Sequence, residues 1–237
     1  KEYPYTSSTT KVLRENFKEL YIDCKKIINL SSSDLIIDIG SNDGNLLRNF
    51  KNYHRVLGVT PEKIGRLAIK EGINTIVKYF DKKTSNLILK KFGKAKIITA
   101  TNVFAHIENV NLLMKNILKI LKNDGVFISE SHYLVSLIET NQYDTIYHEH
   151  LRYYSLTSLK HLFKKYSIEI IHAKRINTHG GSIRVYAAKK GKFKITKNVK
   201  KILNFEKKFL NWNTFKNFKE NVVNSKINLY SMLKKKI

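Results

Sequence analysis

The chain has little cysteine, few acidic residues and no long apolar run, and each shortage excludes a class of protein. Cys24 is the only cysteine among 237 residues, which excludes an internal disulfide and a cysteine-based zinc site within the chain. No apolar run reaches the roughly 18 residues that a membrane-spanning helix needs, and no basic and then apolar signal peptide opens the sequence. These shortages predict a cytoplasmic protein that has no membrane partner.

The shortage of acidic residues leaves 44 basic residues against 19 acidic ones and a formal net charge of +25. Such a charge is typical of proteins that bind nucleic acid. Most of the basic residues, however, are lysines scattered beside many asparagines and isoleucines, which is typical of a biased composition with solvated helix faces. Because net charge bears on association and not on the chemistry of a site, we do not expect nucleic acid to be the substrate.

The length and the apolar content predict one sizeable folded domain with helical additions. The hydrophobic content is 42% and the aromatic content 11%, which is enough for a packed core. We divide the chain into an N-terminal segment and helix (residues 1–30), a central domain (residues 31–190) and a Lys-rich helical extension (residues 191–237).

Residues 35–44 hold the strongest local signal in the chain. An apolar run interrupted by Asp38 alone, typical of a strand buried on both faces, stops at Gly40 and turns through small polar residues to Gly44. Glycines let backbone N–H groups approach a ligand closely. The spacing Asp38-x-Gly40-x-x-x-Gly44 resembles the first motif of class I S-adenosylmethionine (SAM) methyltransferases. A tight turn between a strand and a helix, without a ligand, is the alternative.

Strands alternate with helices beyond this turn, which predicts a mostly parallel, doubly wound α/β sheet that binds ligands at the carboxyl ends of its strands. The predicted strands are residues 35–39, 55–59, 74–80, 96–100, 126–130, 169–173 and 182–188. Predicted helices follow Gly44 and cover residues 84–91 and 131–144. The carboxyl edge of this sheet would carry Gly40, Gly44, Thr60, Asn102, His106 and Glu130.

Thr60 departs from the usual pattern at this edge. The residue that ends the second strand normally contacts the ribose hydroxyls of a ligand through a carboxylate. Here Thr60 stands at that position and Glu62 follows two residues later. A threonine hydroxyl can make one hydrogen bond where a carboxylate accepts two.

Residues 147–154 are too polar for a plain core segment. His148 and His150 flank Glu149 and could bind a metal, act as a base oriented by a carboxylate, or be structural. We favour acid–base chemistry, because no third metal ligand is apparent. His106 is a candidate site residue because it follows the fourth strand at the ligand edge. His179, beside a Gly-Gly turn, is a further candidate. The remaining histidines, read as structural or surface residues, are His54, His132, His161 and His172.

Several separate stretches agree with one family. Residues 38–44 (DIGSNDG), 101–106 (TNVFAH), 143–150 (YDTIYHEH) and 179–184 (HGGSIR) resemble the SAM-dependent sugar C-methyltransferases, which act on nucleotide-linked 4-keto-deoxysugars, typically at C-3. The resemblance runs over nearly the whole chain. It implies a class I SAM methyltransferase Rossmann-like fold with a seven-stranded, mostly parallel sheet and helical additions at both ends. It also implies SAM as the cofactor and a nucleotide-linked keto-deoxysugar as the partner.

The same resemblance implies roles for individual residues. His150 matches the family's base, which forms an enolate that attacks the methyl group, and Glu149 is its nearby carboxylate. Tyr147 and His106 match residues that hold the keto-sugar and could donate to the enolate oxygen. Tyr5 or Tyr3 matches an N-terminal tyrosine at the sugar site. The residues expected along SAM are Asp38, Gly40, Ser41, Asn42, Gly44, Thr60 and Asn102.

Two departures from the family leave alternatives open. Family members usually carry a Cys-rich zinc-binding module before the Tyr-Pro-Tyr segment and a further Rossmann-like domain after the Lys-rich helix. Neither is seen in this sequence, so we expect missing domains or a partner chain. The alternatives are an RNA or other small-molecule methyltransferase, and a non-catalytic SAM-binding remnant of a larger enzyme.

Overall fold

Seven strands form one sheet at the centre of the computed structural model, which describes residues 6–235. The strands are β1 (Leu35–Ile39), β2 (Arg55–Thr60), β3 (Thr75–Val77), β4 (Ala95–Thr101), β5 (Leu121–His132), β6 (Ile168–Ile176) and β7 (Ser182–Lys189). They lie in the order β3-β2-β1-β4-β5-β7-β6. β7 runs antiparallel to both of its neighbours, and the other pairs are parallel. The predicted seven-stranded, mostly parallel sheet is therefore confirmed.

Helices cover both faces of the sheet. They are α1 (Lys11–Ile27), α2 (Gly65–Lys70), α3 (Lys82–Lys91), α4 (Val110–Ile120), α5 (Leu134–Glu139), α6 (Leu156–Lys164), α7 (Lys197–Phe209) and α8 (Trp212–Lys234). Ile36 packs with α1 on one face, whereas Leu35 and Ile37 pack with α3 and α4 on the other. This alternation follows from the two-residue period of a strand. Among residues 6–235, no helix combines the length and the apolar character that a membrane crossing requires.

Three predicted elements have different bounds in the structure. The predicted helix after Gly44 is a single 3-10 turn, Leu47–Asn49. β3 ends at Val77, ahead of Asp81, which caps α3 through the N–H of Thr84. The predicted helix over residues 131–144 is only α5, because β5 continues to His132 and Asn141 takes a left-handed φ of 55°. Residues at the end of β5 are consequently in the sheet and not on a helix.

A buried polar network joins α1 to the end of β5. We call it the Glu130–Arg184 network; its members are Glu130, Arg184, Asn16 and Thr178. Arg184 Nε donates to Glu130 Oε2 at 2.8 Å, and both side chains have 0% exposure. Arg184 Nη2 donates to Asn16 Oδ1 at 2.6 Å, and Asn16 Nδ2 donates to Glu130 Oε1 at 2.8 Å. Thr178 Oγ1 completes the network with a 3.3 Å hydrogen bond to Glu130 Oε1.

The C-terminal helix α7 packs against the core through Val199, Ile202 and Leu203, and the buried carboxylate of Glu206 adds a polar link to the sheet domain. It accepts hydrogen bonds from the Tyr133 hydroxyl at 2.8 Å and from the backbone N–H groups of Leu156 and Thr157 at 2.6 and 2.8 Å. Those N–H groups begin α6, where a carboxylate satisfies donors that have no partner within the helix. Glu206 therefore supplements the capping box that Ser155 provides.

Candidate functional site

The turn after β1 comes into close contact with the loop after β4. Gly40 and Gly44 have φ values of 77° and 81°, and Asn42 has a φ of 50°. A Cβ atom on Gly40 would lie 2.2 Å from Val103 Cγ2. The positive φ and this close approach both require glycine at position 40.

This edge of the sheet can accommodate a ligand with polar groups. Gly40, Asn42 and Asn102 are only half-buried there, and Asn102 has a φ of 56° with its N–H donated to the Glu130 carbonyl at 2.8 Å. Ser41 Oγ is buried with no hydrogen-bond partner among the described residues. Together these groups form a cradle of backbone and small polar side chains, which fits the amino-acid and nucleoside parts of SAM.

Thr60 and Asp38, two of the residues expected along SAM, are both buried. Thr60 is buried at the end of β2, where its methyl group would contact a Cβ atom on Gly65 at 2.6 Å. Asp38 is 2% exposed and accepts a 2.6 Å hydrogen bond from Thr99 Oγ1 on β4. Asp38 therefore links β1 to β4 directly beneath the glycine turn.

Burial gives Asp38 a measurable effect on stability. It raises the pKa of the carboxyl to about 7, against the lowering effect of the Thr99 hydrogen bond. An aspartate in an unfolded chain titrates near about pH 3.9, so the folded protein keeps this proton to a higher pH and its stability falls as the pH rises. We expect the unfolding free energy of the wild type, relative to Asp38→Asn, to fall by about 3 kcal/mol from about pH 4 to about pH 7.

Urea unfolding of both proteins across that pH range measures this difference. Asp124→Asn serves as a control of opposite sign, because a hydrogen bond from Lys96 lowers the pKa of Asp124. Relative to that variant, the wild type should gain stability as the pH rises through the acidic range. A flat difference for Asp38→Asn would mean that folding does not change the pKa of Asp38.

A cluster of rings lies beside the cofactor edge. We call it the imidazole cluster; its members are His106, His132, His150, Tyr147 and Tyr153. The ring centroid of His150 lies 5.0 Å from that of His106, 6.1 Å from that of His132, 4.6 Å from that of Tyr147 and 5.9 Å from that of Tyr153. Three of these residues, His106, His150 and Tyr147, are candidates from the sequence, and the fold brings their rings together.

The imidazole cluster connects directly to the glycine turn. Val103 faces Gly40, and the Val103 carbonyl accepts the backbone N–H of His106 at 3.0 Å. His106 in turn lies against His150. One loop, residues 102–106, therefore borders the cofactor cradle at its start and the imidazole cluster at its end.

Backbone carbonyls fix the tautomers of two imidazoles. His150 Nδ1 lies 3.0 Å from the Thr145 carbonyl oxygen, and His106 Nδ1 lies 2.8 Å from the Glu149 carbonyl oxygen. A carbonyl only accepts, so each Nδ1 carries a hydrogen, and in the neutral ring Nε2 keeps its lone pair. His150 Nε2 is thus able to accept a proton. Partial burial lowers the pKa of His106, which keeps that ring neutral near neutral pH.

The side chain of Glu149 has a different partner from the one expected. Its Oε2 accepts a hydrogen bond from the Tyr147 hydroxyl at 3.3 Å, whereas the ring of His150 is held by the Thr145 carbonyl. Thr145 also accepts the Tyr153 hydroxyl at 2.8 Å. The expected orienting role of a carboxylate is therefore filled by a backbone carbonyl. His148 is exposed, and its ring contacts Tyr147.

His132 was interpreted from the sequence as structural or surface, yet it lies in the imidazole cluster. It is buried at the end of β5, and its Nε2 lies 3.1 Å from Gln142 Oε1. Gln142 Nε2 donates to the Gly180 carbonyl at 2.7 Å, beside His179, which is exposed and has a φ of 52°. Burial lowers the pKa of His132. The sequence did carry one signal that His132 lies at the site, because this residue closely follows Glu130 at the ligand edge.

Two further expectations concern metals and the N-terminal tyrosines. Within residues 6–235, no group of three or more histidine, cysteine or acidic side chains has a geometry that could hold a metal ion. Tyr3 and Tyr5, expected at the sugar site, lie outside the described residues.

The fold is that of the class I SAM methyltransferases. The structure is similar to magnesium protoporphyrin IX methyltransferase (ChlM) from Synechocystis PCC 6803 with bound SAH (S-adenosylhomocysteine), with a TM-score of 0.59 and 10% identity over 80% of this chain and 90% of that chain. It is also similar to a SAM-dependent methyltransferase from Clostridium acetobutylicum ATCC 824, with a TM-score of 0.57 and 14% identity over 78% of this chain and 94% of that chain.

Sequence comparisons then narrow the class. Residues 13–173 match the methyltransferase domain family, and residues 177–236 match the C-methyltransferase C-terminal domain. The chain is 34% identical over 188 residues to the C-methyltransferase NovU of Streptomyces niveus, a match that covers 78% of this chain and 45% of that protein. The chain therefore belongs to the SAM-dependent C-methyltransferases, whose cofactor is SAM, and it spans about half the length of this relative.

Proposed function

We propose that this chain transfers a methyl group from SAM to a carbon, C-3, beside the carbonyl of a nucleotide-linked 4-keto-deoxysugar, with His150 as the general base. The observation that carries the proposal is the hydrogen bond between His150 Nδ1 and the Thr145 carbonyl oxygen. It leaves Nε2 of a neutral ring unprotonated next to the cofactor edge. The sugar class is supported by the YHEH and HGGS motifs of residues 147–150 and 179–182.

The chemistry requires one proton transfer and one carbon–carbon bond. His150 Nε2 takes the proton from the carbon beside the ketone, and the electron pair of that C–H bond moves into an enolate. SAM, when bound, supplies an electrophilic methyl group on its sulfonium. With SAM held along residues 40–44, this methyl group would pass to the enolate carbon, and the electron pair of the broken carbon–sulfur bond would remain on sulfur to give SAH. Bulk water then accepts the proton from His150.

The surrounding rings have different tasks in this scheme. The Tyr147 hydroxyl, now hydrogen-bonded to Glu149, is the donor able to stabilise negative charge on the enolate oxygen. Neutral His106 already donates its Nδ1 hydrogen to the Glu149 carbonyl. Its Nε2 can therefore accept a hydrogen bond from a sugar hydroxyl, and it is not the enolate donor while the ring is neutral.

Proton exchange tests the first step separately from methylation. In deuterated water with SAH present, the purified chain should exchange the C-3 hydrogen of a nucleotide-linked 4-keto-deoxysugar, as followed by proton NMR. With SAM, mass spectrometry should detect a gain of one CH₂ group in the same sugar. Neither exchange nor methylation with any sugar of a panel, despite SAM binding by calorimetry, would favour the non-catalytic interpretation.

A further inference from the structure

The N-terminal segment lies on the cofactor turn. Residues Ser7–Thr9 form one 3-10 turn just before α1, far in sequence from residues 40–44. Ser7 itself is buried, with 8% exposure. Nothing in the sequence of residues 6–10 indicated a contact with the glycine turn.

Every polar group of Ser7 bonds to a different residue of the turn. Its backbone N–H donates to Asn42 Oδ1 at 3.0 Å, and its hydroxyl donates to Asp43 Oδ1 at 2.6 Å. Its carbonyl accepts Asn45 Nδ2 at 3.0 Å. These three bonds span the part of the turn that contains the left-handed Asn42 and the positive φ of Gly44.

The hydrogen bond from the Ser7 hydroxyl matters for the turn because its acceptor, Asp43, is a buried carboxylate. Its side chain is 1% exposed in the ion pair with Arg48, where Arg48 Nη2 lies 3.5 Å from Oδ2. The Ser7 hydroxyl is the hydrogen-bond donor to Oδ1. A buried carboxylate oxygen that loses its donor is costly, so a turn without the Ser7 hydroxyl would shift to reach water or another donor.

We infer that Ser7 is a positioning residue for the cofactor: it holds residues 42–45 in the conformation that binds SAM, without contacting SAM. A turn that is already ordered before the ligand arrives loses less conformational entropy on binding, so the ligand binds more tightly. The inference shares its site with the proposed function and rests on SAM binding there. It does not depend on which substrate is methylated.

Calorimetric titration with SAH tests this inference. Ser7→Ala should weaken SAH binding about tenfold, and Asn45→Ala, which removes the donor to the Ser7 carbonyl, should weaken it in the same direction. Ser8→Ala is the matched control, since within residues 6–235 the Ser8 hydroxyl has no hydrogen bond, while its carbonyl accepts one from Arg14. The affinity of this variant should equal that of the wild type.

Thermal unfolding without ligand separates positioning from plain stability. A lower melting temperature for Ser7→Ala with an unchanged SAH dissociation constant would overturn the inference, as would equal losses of affinity in Ser7→Ala and Ser8→Ala. Weaker binding in both Ser7→Ala and Asn45→Ala, with circular dichroism spectra like that of the wild type, would support it. Because the readout is binding, a failure to methylate ketosugars leaves this result interpretable.

Discussion

His150→Asn should lower the rate of methyl transfer by about 10²–10⁴-fold and leave the affinity for SAH unchanged. Asparagine can still donate toward the Thr145 carbonyl, which now lies 3.0 Å from His150 Nδ1. It has no lone-pair nitrogen that can accept a proton. The proton-exchange reaction, which needs the base but not the methyl donor, should be lost to the same extent.

Single-turnover methylation and proton NMR exchange measure the two losses, and His148→Asn is the matched control. His148 is exposed two residues earlier, where its ring contacts Tyr147. Its replacement should leave exchange close to that of the wild type. If His150→Asn exchanges the C-3 hydrogen at the wild-type rate, another group is the base. The candidates would then be the neighbouring rings of His106 and His132, whose centroids lie 5.0 and 6.1 Å from that of His150.

Arg184→Met should lower the free energy of unfolding by about 3–5 kcal/mol. The substitution leaves the carboxylate of Glu130 buried, with 0% exposure, and without the cation 2.8 Å away. It also removes the donor to Asn16 Oδ1, which ties α1 to the sheet. Urea unfolding followed by circular dichroism measures the loss.

Two further variants test the physical reason for that loss. Lys11→Met removes the exposed pair between Lys11 and Glu15 and should cost only about 0–1 kcal/mol. The double variant Arg184→Met with Glu130→Met removes both buried charges, so it should be more stable than the sum of the single losses predicts. Equal losses in Arg184→Met and Lys11→Met would show that Glu130 regains a partner or water in the variant.

The central turn and the sheet could be predicted because local sequence determines them. A mostly apolar run predicts a strand buried on both faces, and two glycines four residues apart mark a turn that needs positive φ. The place of Asp38 could not be predicted in the same way. Whether its side chain points to the ligand or to β4 depends on the register with Thr99, which sequence spacing alone does not give.

The members of the imidazole cluster likewise differ in how far the sequence alone could identify them. Local polarity singled out His150 and Tyr147, whereas the proximity of His106 depends on the sheet order and on a loop contact across the chain. His132 was missed because β5 was expected to end at Glu130, which moved this histidine into a predicted helix. Likewise, no local pattern indicates that Ser7 reaches the turn, because its partners lie 35 or more residues away along the chain.

The carboxylate beneath α6 constrains how such chains can be recombined. Glu206, on a helix that follows the last strand, serves as acceptor for two amides at the start of α6 and for the hydroxyl of Tyr133. A hybrid joined between β7 and α7 would bring together an acceptor and donors from different parents. Exchange of C-terminal portions among relatives should therefore succeed only when the incoming helix supplies an acid at this position or when α6 travels with it.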